Sequence, residues 1–191
     1  MTTLAAFQGD GWAVIGADSR ATDDSGEVFV LGNPKISING PYIFAVTGAS
    51  RGGNLVQQGW VPPKPPATTD VNKIDIFMTR KFIPSMRKLY MDAGYDAKDD
   101  GEAAYTDSAL LVAVKGIIYP IFQDYSWDRD ARRIYNGGSG GSIALGAMVA
   151  QGIEKVRTPE AAEKIIRKSI EISTEWNAYC MPPVITHIQR A

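Results

Sequence analysis

Three pairs of apolar stretches meet across turns too short to be anything but hairpins. Thr2–Gln8 and Trp12–Asp18 flank Gly9-Asp10-Gly11. Lys35–Ile38 and Tyr42–Thr47 flank Asn39-Gly40-Pro41. Ser108–Val114 and Ile117–Phe122 flank Lys115-Gly116. Glycine reaches the positive-φ conformations that such turns demand, so each pair predicts two antiparallel strands. Parallel neighbours would need crossovers of about a dozen residues or more, and these spacings leave no room for them.

The helical segments fall between the hairpins. Gly48–Gln58 predicts a helix that Val61-Pro62-Pro63-Lys64-Pro65-Pro66 must end, because proline has no N–H to donate. Residues 60–69 then read as a surface connector with polyproline character. Asp70–Ala93 places Ile74, Phe77, Met78, Phe82, Met86, Leu89 and Tyr90 on one stripe, with Pro84 predicting a kink and Gly94 a stop. Tyr95–Thr106 reads as an acidic loop. Ser142–Glu154 is an Ala- and Gly-rich helix able to lie close to a sheet. Thr158-Pro159-Glu160 supplies a cap, a first-turn proline and a dipole-matched acid for a helix running to about Trp176. Val28–Leu31, Arg132–Tyr135 and Val184–Gln189 read as further strands. The order is hairpins, helices, hairpins, helices, strand. It predicts an α+β chain whose sheets pack face to face with helices outside, in one domain spanning residues 1–191.

Composition removes several functions. A net charge of −1 offers no field for nucleic acid or an anionic membrane. No apolar run reaches the ~18 residues of a membrane helix, and Met1-Thr2-Thr3-Leu4 lacks signal-peptide character, so a cytoplasmic protein is expected. One cysteine, Cys180, allows no internal disulfide. One histidine, His187, allows no multi-histidine metal site. No cofactor or metal is expected.

With histidine so scarce, a catalytic base must come from elsewhere. An N-terminal threonine carries its own. Its α-amine has a reference pKa of roughly 8, against about 10.4 for lysine, and a base titrating near neutral pH is the efficient kind. Removal of Met1 would give Thr2 this role, whereas an uncleaved Met1 would bury the amine in a peptide bond. Four further segments carry suitable residues. Gly16-Ala17-Asp18-Ser19-Arg20-Ala21-Thr22 ends a strand in a polar turn. Asn33-Pro34-Lys35-Ile36 sets a lysine before an apolar strand. Ala45-Val46-Thr47-Gly48-Ala49-Ser50 ends in a glycine that could offer a bare N–H. Asn136-Gly137-Gly138-Ser139-Gly140-Gly141-Ser142 is a glycine-rich turn before a helix.

In this order, from Thr2 to Gly53 and again from Ser108 to about Tyr179, the sequence resembles the proteasome β-subunit family and especially its HslV-type relatives. Asp18 keeps the family's spacing from Thr2. Lys35 comes one residue later, which points to an insertion in the Asp23–Gly32 loop, and residues 60–107 lie outside the resemblance. The resemblance implies a four-layer αββα sandwich of the Ntn-hydrolase type, with two mostly antiparallel sheets, and a threonine endopeptidase acting on unfolded polypeptides. It implies Thr2 as nucleophile and base, Lys35 as the cation keeping the amine unprotonated, and Asp18 as the partner holding Lys35 charged. Ser139 would bond the amine and pass the proton, and the Gly48 N–H would receive the oxyanion. Thr22 and Ser50 would pair with an extended peptide, while Ala21, Val46 and the stem of Lys35 would shape an apolar first pocket beside Ala49. Arg20 fits the family's loop position, where a buried ion pair is an equal expectation. Of the polar residues after the last helix, Glu175 and Asn177 are candidates. Stacked homo-oligomeric rings and an ATP-dependent unfoldase partner are implied in the same way.

Two alternatives stand beside this reading. Gly137-Gly138-Ser139-Gly140-Gly141 satisfies the G-x-S-x-G pattern of serine hydrolases, with Glu163 or Glu171 and then His187 following in chain order. The chain could also be a non-catalytic ring subunit or scaffold.

Overall fold

The structure is a computed structural model and describes residues 1–23, 25–96 and 104–191. Asp24 of the turn after Thr22 and the middle of the acidic Tyr95–Thr106 loop lie outside the described residues.

The hairpins fold as their turns require. Strands β1 (Leu4–Gly9) and β2 (Trp12–Ala17) pair antiparallel with Gly9 opposite Trp12, leaving Asp10-Gly11 as a two-residue turn. Strands β3 (Arg20–Thr22) and β4 (Val28–Val30) form a separate two-stranded ribbon. Here the structure differs from the polar turn expected after Asp18. Three residues per strand are too few for an alternating pattern to show. Strands β5 (Ile36–Asn39) and β6 (Tyr42–Gly48) pair, and β6 pairs in turn with β7 (Ser108–Val114), which pairs with β8 (Ile117–Ile121). Strands β9 (Ile134–Gly137) and β10 (Ile185–Arg190) complete the first sheet. The result is two four-stranded antiparallel sheets, ordered β10-β2-β1-β9 and β5-β6-β7-β8.

Helix α1 covers Ser50–Gln58, α4 Gly141–Ala150 and α5 Pro159–Trp176, the last capped by the Thr158 hydroxyl, which accepts from the Ala161 N–H. The long central helix is not uniform. It begins as α2 (Val71–Phe77), widens into a π-helical turn over Met78–Phe82, and resumes as α3 (Ile83–Asp92). The apolar stripe explains the wide turn. Ile74, Met78, Phe82, Met86 and Tyr90 are all buried and recur every fourth residue. In a regular α-helix that spacing drifts by roughly 160° over four steps. One π turn absorbs about one extra residue and returns much of that drift. It also precedes Pro84, which lacks an N–H and crowds the carbonyl four residues back.

Three apolar clusters hold the elements together. Leu4, Ala6, Ile15, Ile36, Ile43, Leu111, Ala113 and Ile118 bring both sheets into one core. Phe7, Val14, Ala144, Met148, Ile166 and Ile170 join the first sheet to α4 and α5. Tyr42, Phe44, Val56, Met78, Phe82, Met86 and Tyr119 join the second sheet to α1–α3. Each large side chain so buried contributes roughly 1.5–3 kcal/mol of transfer free energy. The proline-rich connector is pinned to this last cluster: the Tyr42 hydroxyl donates to the Pro63 carbonyl at 2.6 Å, and the Asn39 amide donates to Trp60 O at 2.9 Å. Among the described residues no helix is long and apolar enough to cross a membrane.

Candidate active site

Sheet register brings distant segments to one edge of the molecule. Leu4 stands opposite Ala17 on one side and Gly137 on the other, and Ala17 stands opposite Ile185. The residues just before β1, after β2, after β9 and before β10 therefore converge: Thr2 and Thr3, Asp18, the Gly138–Gly141 turn, and Cys180–Met181. From the second sheet, Ile36 opposite Ala45 puts Lys35 and the end of β6 at one end of that sheet.

Asp18 is the hub. Its Oδ1 accepts from the Thr3 N–H at 2.8 Å and from Lys35 Nζ at 2.8 Å. Its Oδ2 accepts from the N–H groups of Arg20 at 3.1 Å and Met181 at 3.3 Å. The carboxylate has no solvent exposure and the Lys35 side chain only 8%. A charged pair this deep persists only when the remaining lone pairs are also satisfied, and here they are. Burial draws the Lys35 ammonium below the ordinary lysine pKa, while the charge of Asp18 works against that shift. Lys35 Nζ also donates to the Met1 carbonyl at 2.8 Å. Standard bond lengths then put the ammonium within about 5 Å of the Thr2 backbone nitrogen.

Thr2 is 4% exposed, and its carbonyl accepts from the Gly140 N–H at 3.1 Å. The Gly138–Gly141 turn, closed by Gly141 N–H to Gly138 O at 3.1 Å, wraps the same residue. Gly138 has φ +75°, and a Cβ there would lie 2.2 Å from Thr2 O and 2.9 Å from Thr2 Cβ. Nothing larger than glycine fits. Ser139 sits in this turn, exposed and flanked on both sides by glycines that touch Thr2.

The Gly48 turn is equally constrained. Gly48 has φ +97°, and a Cβ would meet Asp107 O at 2.0 Å. Ala49 donates its N–H to Asp107 O at 2.9 Å, and its carbonyl accepts from Ser108 Oγ at 2.9 Å. The Ser108 hydroxyl lies 2.7 Å from the Tyr95 hydroxyl. A cleft of about 730 Å³ runs between these parts and is lined by Thr2, Arg20, Ala21, Thr22, Lys35, Val46, Gly48, Ala49 and Ser50. Phe29 and Leu31 from the ribbon and Asn54 and Gln57 from α1 line it too. Asp18 and Ser139 lie outside that lining: Asp18 is buried below Lys35, and Ser139 is on the Gly138–Gly141 turn.

One buried polar cluster escaped the sequence reading. Thr3 Oγ1 lies 2.8 Å from Ser173 Oγ and 3.0 Å from Cys180 Sγ, and Ser173 Oγ donates to Gly140 O at 3.0 Å. Gly140 leaves the room for this, since a Cβ there would lie 2.0 Å from Thr3 Oγ1. The only sequence signal was a serine falling on the buried face of α5, after Ile166 and Ile170. Glu175 is exposed, and the Asn177 side chain accepts from the Tyr179 N–H at 2.9 Å. The buried polar residues at the end of α5 are therefore Ser173 and Cys180. Among the described residues no cluster of three or more His, Cys, Asp or Glu side chains is placed to hold a metal ion.

A scan against protein-family models and a search of curated proteins return no match. Solved structures do match. The BPH protein of Thiobacillus denitrificans in complex with epoxomicin aligns over 99% of this chain and 98% of that chain, with a TM-score of 0.76 and 22% identity. A second BPH structure from that organism gives a TM-score of 0.74 at the same coverage and 22% identity. HslV from Trypanosoma brucei aligns over the whole of both chains, with a TM-score of 0.65 and 17% identity. The chain has the proteasome/HslV-type fold.

The proteasome/HslV-type topology overturns the serine-hydrolase alternative. The turn carrying Ser139 follows β9 and His187 lies on β10, at opposite edges of the first sheet with β1 and β2 between. Three inter-strand steps separate those edges by roughly 14 Å, too far for a nucleophile and its base to share a hydrogen bond. Glu163, the nearer acid, accepts from the Thr186 hydroxyl at 2.6 Å.

Proposed function

We propose that the protein is a threonine endopeptidase whose nucleophile and general base are both supplied by Thr2 once the Met1–Thr2 bond has been cut. One observation carries the reading. The Lys35 ammonium, fixed at 2.8 Å by the buried Asp18, lies 2.8 Å from the carbonyl of the very bond whose cleavage frees the Thr2 amine. A cation held there lowers the pKa of that amine, so the neutral form dominates near pH 7. The likeness to BPH and HslV supports the reading at the level of the fold; a four-layer αββα arrangement in one domain spanning residues 1–191 is part of the proposal.

The chemistry follows from these positions. Thr2 Oγ1 attacks the scissile carbonyl and gives its proton to the α-amine, with Ser139 beside it as relay. The developing oxyanion takes the Gly48 N–H, a contact typically worth ~3 kcal/mol of barrier. Collapse breaks the C–N bond, and the ammonium returns the proton to the leaving amine. Water then attacks the ester on Thr2, the amine again taking the proton, and the second product leaves. Ala21, Thr22, Val46, Ala49 and Ser50 line the cleft where an extended polypeptide would pair as an added strand. Stacked homo-oligomeric rings in the cytoplasm and an ATP-dependent unfoldase partner belong to the same proposal.

The test is labelling with epoxomicin or a related peptide epoxyketone, followed by mass mapping. That warhead needs a hydroxyl and a free amine on one residue. The expected result is an adduct on Thr2 as the first residue of the chain, abolished in Thr2→Ala. An active preparation retaining Met1 quantitatively would refute the mechanism.

A further inference from the structure

The cleft carries an uneven charge. Among the described residues, Arg20 and Lys35 are the charged side chains that line it, and no carboxylate does. The nearest acid, Asp18, already serves Lys35 and three backbone N–H groups. Lys35 is thereby balanced, but Arg20 is not. Its Nε donates to the Thr22 hydroxyl at 3.3 Å, which anchors the stem of the guanidinium on the β3–β4 ribbon. Among the described residues Arg20 forms no ion pair, although nine other pairs are present. Its charge also bears on Lys35, disfavouring the ammonium, so the two cations share one electrostatic neighbourhood. The remaining lining beside them is apolar or neutral: Phe29, Leu31, Pro34, Val46, Asn54 and Gln57.

We propose that Arg20 is a specificity-determining residue that selects polypeptide segments carrying a carboxylate side chain next to an apolar one. This deepens the endopeptidase reading and rests on it for the occupant of the cleft. The physical reason is compensation. A substrate carboxylate supplies the missing negative charge, and the Nη groups of Arg20 form a planar fork suited to it. A lysine or arginine at the same substrate position would meet the uncompensated Arg20 guanidinium and be repelled. The apolar neighbour occupies the wall formed by Phe29, Leu31 and Val46. The preference is electrostatic and partly exposed to solvent, so salt weakens it.

Thr2→Ala protein separates binding from chemistry. Fluorescein-labelled peptides with an apolar residue beside Glu, Gln or Lys are titrated by anisotropy in about 20 mM and about 500 mM salt. The Glu peptide should bind about three- to fivefold tighter than the Gln peptide at low salt, in the order Glu, Gln, Lys. That ratio should collapse toward one in high salt and in the Arg20→Gln, Thr2→Ala double variant, and Arg20→Lys should restore part of it. Equal binding of the three peptides, or a Glu preference that survives Arg20→Gln, overturns the proposal. Cleavage of the same peptides by the parent protein is scored separately. Loss of cleavage with the binding order intact counts against the peptidase reading and leaves the selectivity standing. Cleavage without the order does the reverse.

Discussion

The two walls of the cleft are built on opposite principles. The wall holding Thr2, Thr3, Asp18, Lys35 and Ser173 is buried and polar, and its donors and acceptors share partners across segments up to 177 residues apart. The facing wall, the β3–β4 ribbon, has two strands of three residues, and Val28, Phe29 and Val30 are each about half exposed. Reacting atoms need placement to fractions of an ångström, and a saturated buried network gives that. A surface that must accept varied chains gains from being thin and exposed. Rigidity and tolerance are thus separated across a single groove.

Substitutions on the first wall should have the larger consequences. Asp18→Ala strands a buried ammonium and three N–H groups. It should cost about 3–5 kcal/mol in urea unfolding and remove more than about 99% of peptidase activity. A variant as stable as the parent would show that the wall is not saturated as described. Lys35→Met keeps the packing and deletes the charge. With no cation beside it, the Thr2 amine titrates nearer its reference value of roughly 8, so the acid limb of the pH–rate profile should move upward. The rate at neutral pH should fall about 10- to 100-fold. An unmoved acid limb would detach Lys35 from the base. Ser173→Ala takes the hydroxyl away from Thr3 Oγ1 and from Gly140 O, which keeps the Ala144 N–H, and should cost about 1 kcal/mol, lowering kcat more than it raises KM.

On the ribbon, Phe29→Ala should change stability by no more than about 0.5 kcal/mol while raising KM for apolar peptides, the reverse of the Ser173 pattern. The smallest effect belongs to His187, outside both walls. Burial lowers its pKa below 6.5, so the unfolded chain takes up the proton more readily than the folded one. Stability should therefore be intact at neutral pH and decline as pH falls through 6.5, and His187→Gln should flatten that decline in urea midpoints.

The hairpins were legible because a two-residue turn between apolar runs leaves the chain few options. Thr158-Pro159-Glu160 likewise announced α5, since all three residues suit a helix start. The ribbon was not legible, because Arg20-Ala21-Thr22 is too short for periodicity and carries no core-facing pattern. Nor was the wide turn at Met78–Phe82, although an apolar residue at every fourth position from Ile74 to Tyr90 already conflicts with a regular α-helix. At the site, Asp18, Lys35, Gly48 and the glycine turn were named through the family resemblance, and the structure brings their segments together around Thr2. Ser173 and Cys180 could not be named, because only tertiary pairing of the first strand with the last helix brings them to Thr3.

The wide turn has a consequence for how this chain tolerates change. It works as one surplus residue, so deleting any residue between Met78 and Phe82 would let the backbone relax into an unbroken α-helix. Met86 and Tyr90 would then keep their place over the sheet, because the wide turn already sets the following helix in the phase of a chain one residue shorter, whereas an inserted residue would swing them about 100° away. A shortening here would therefore leave the aromatic roof on β5–β8, and a lengthening of the same size would strip it.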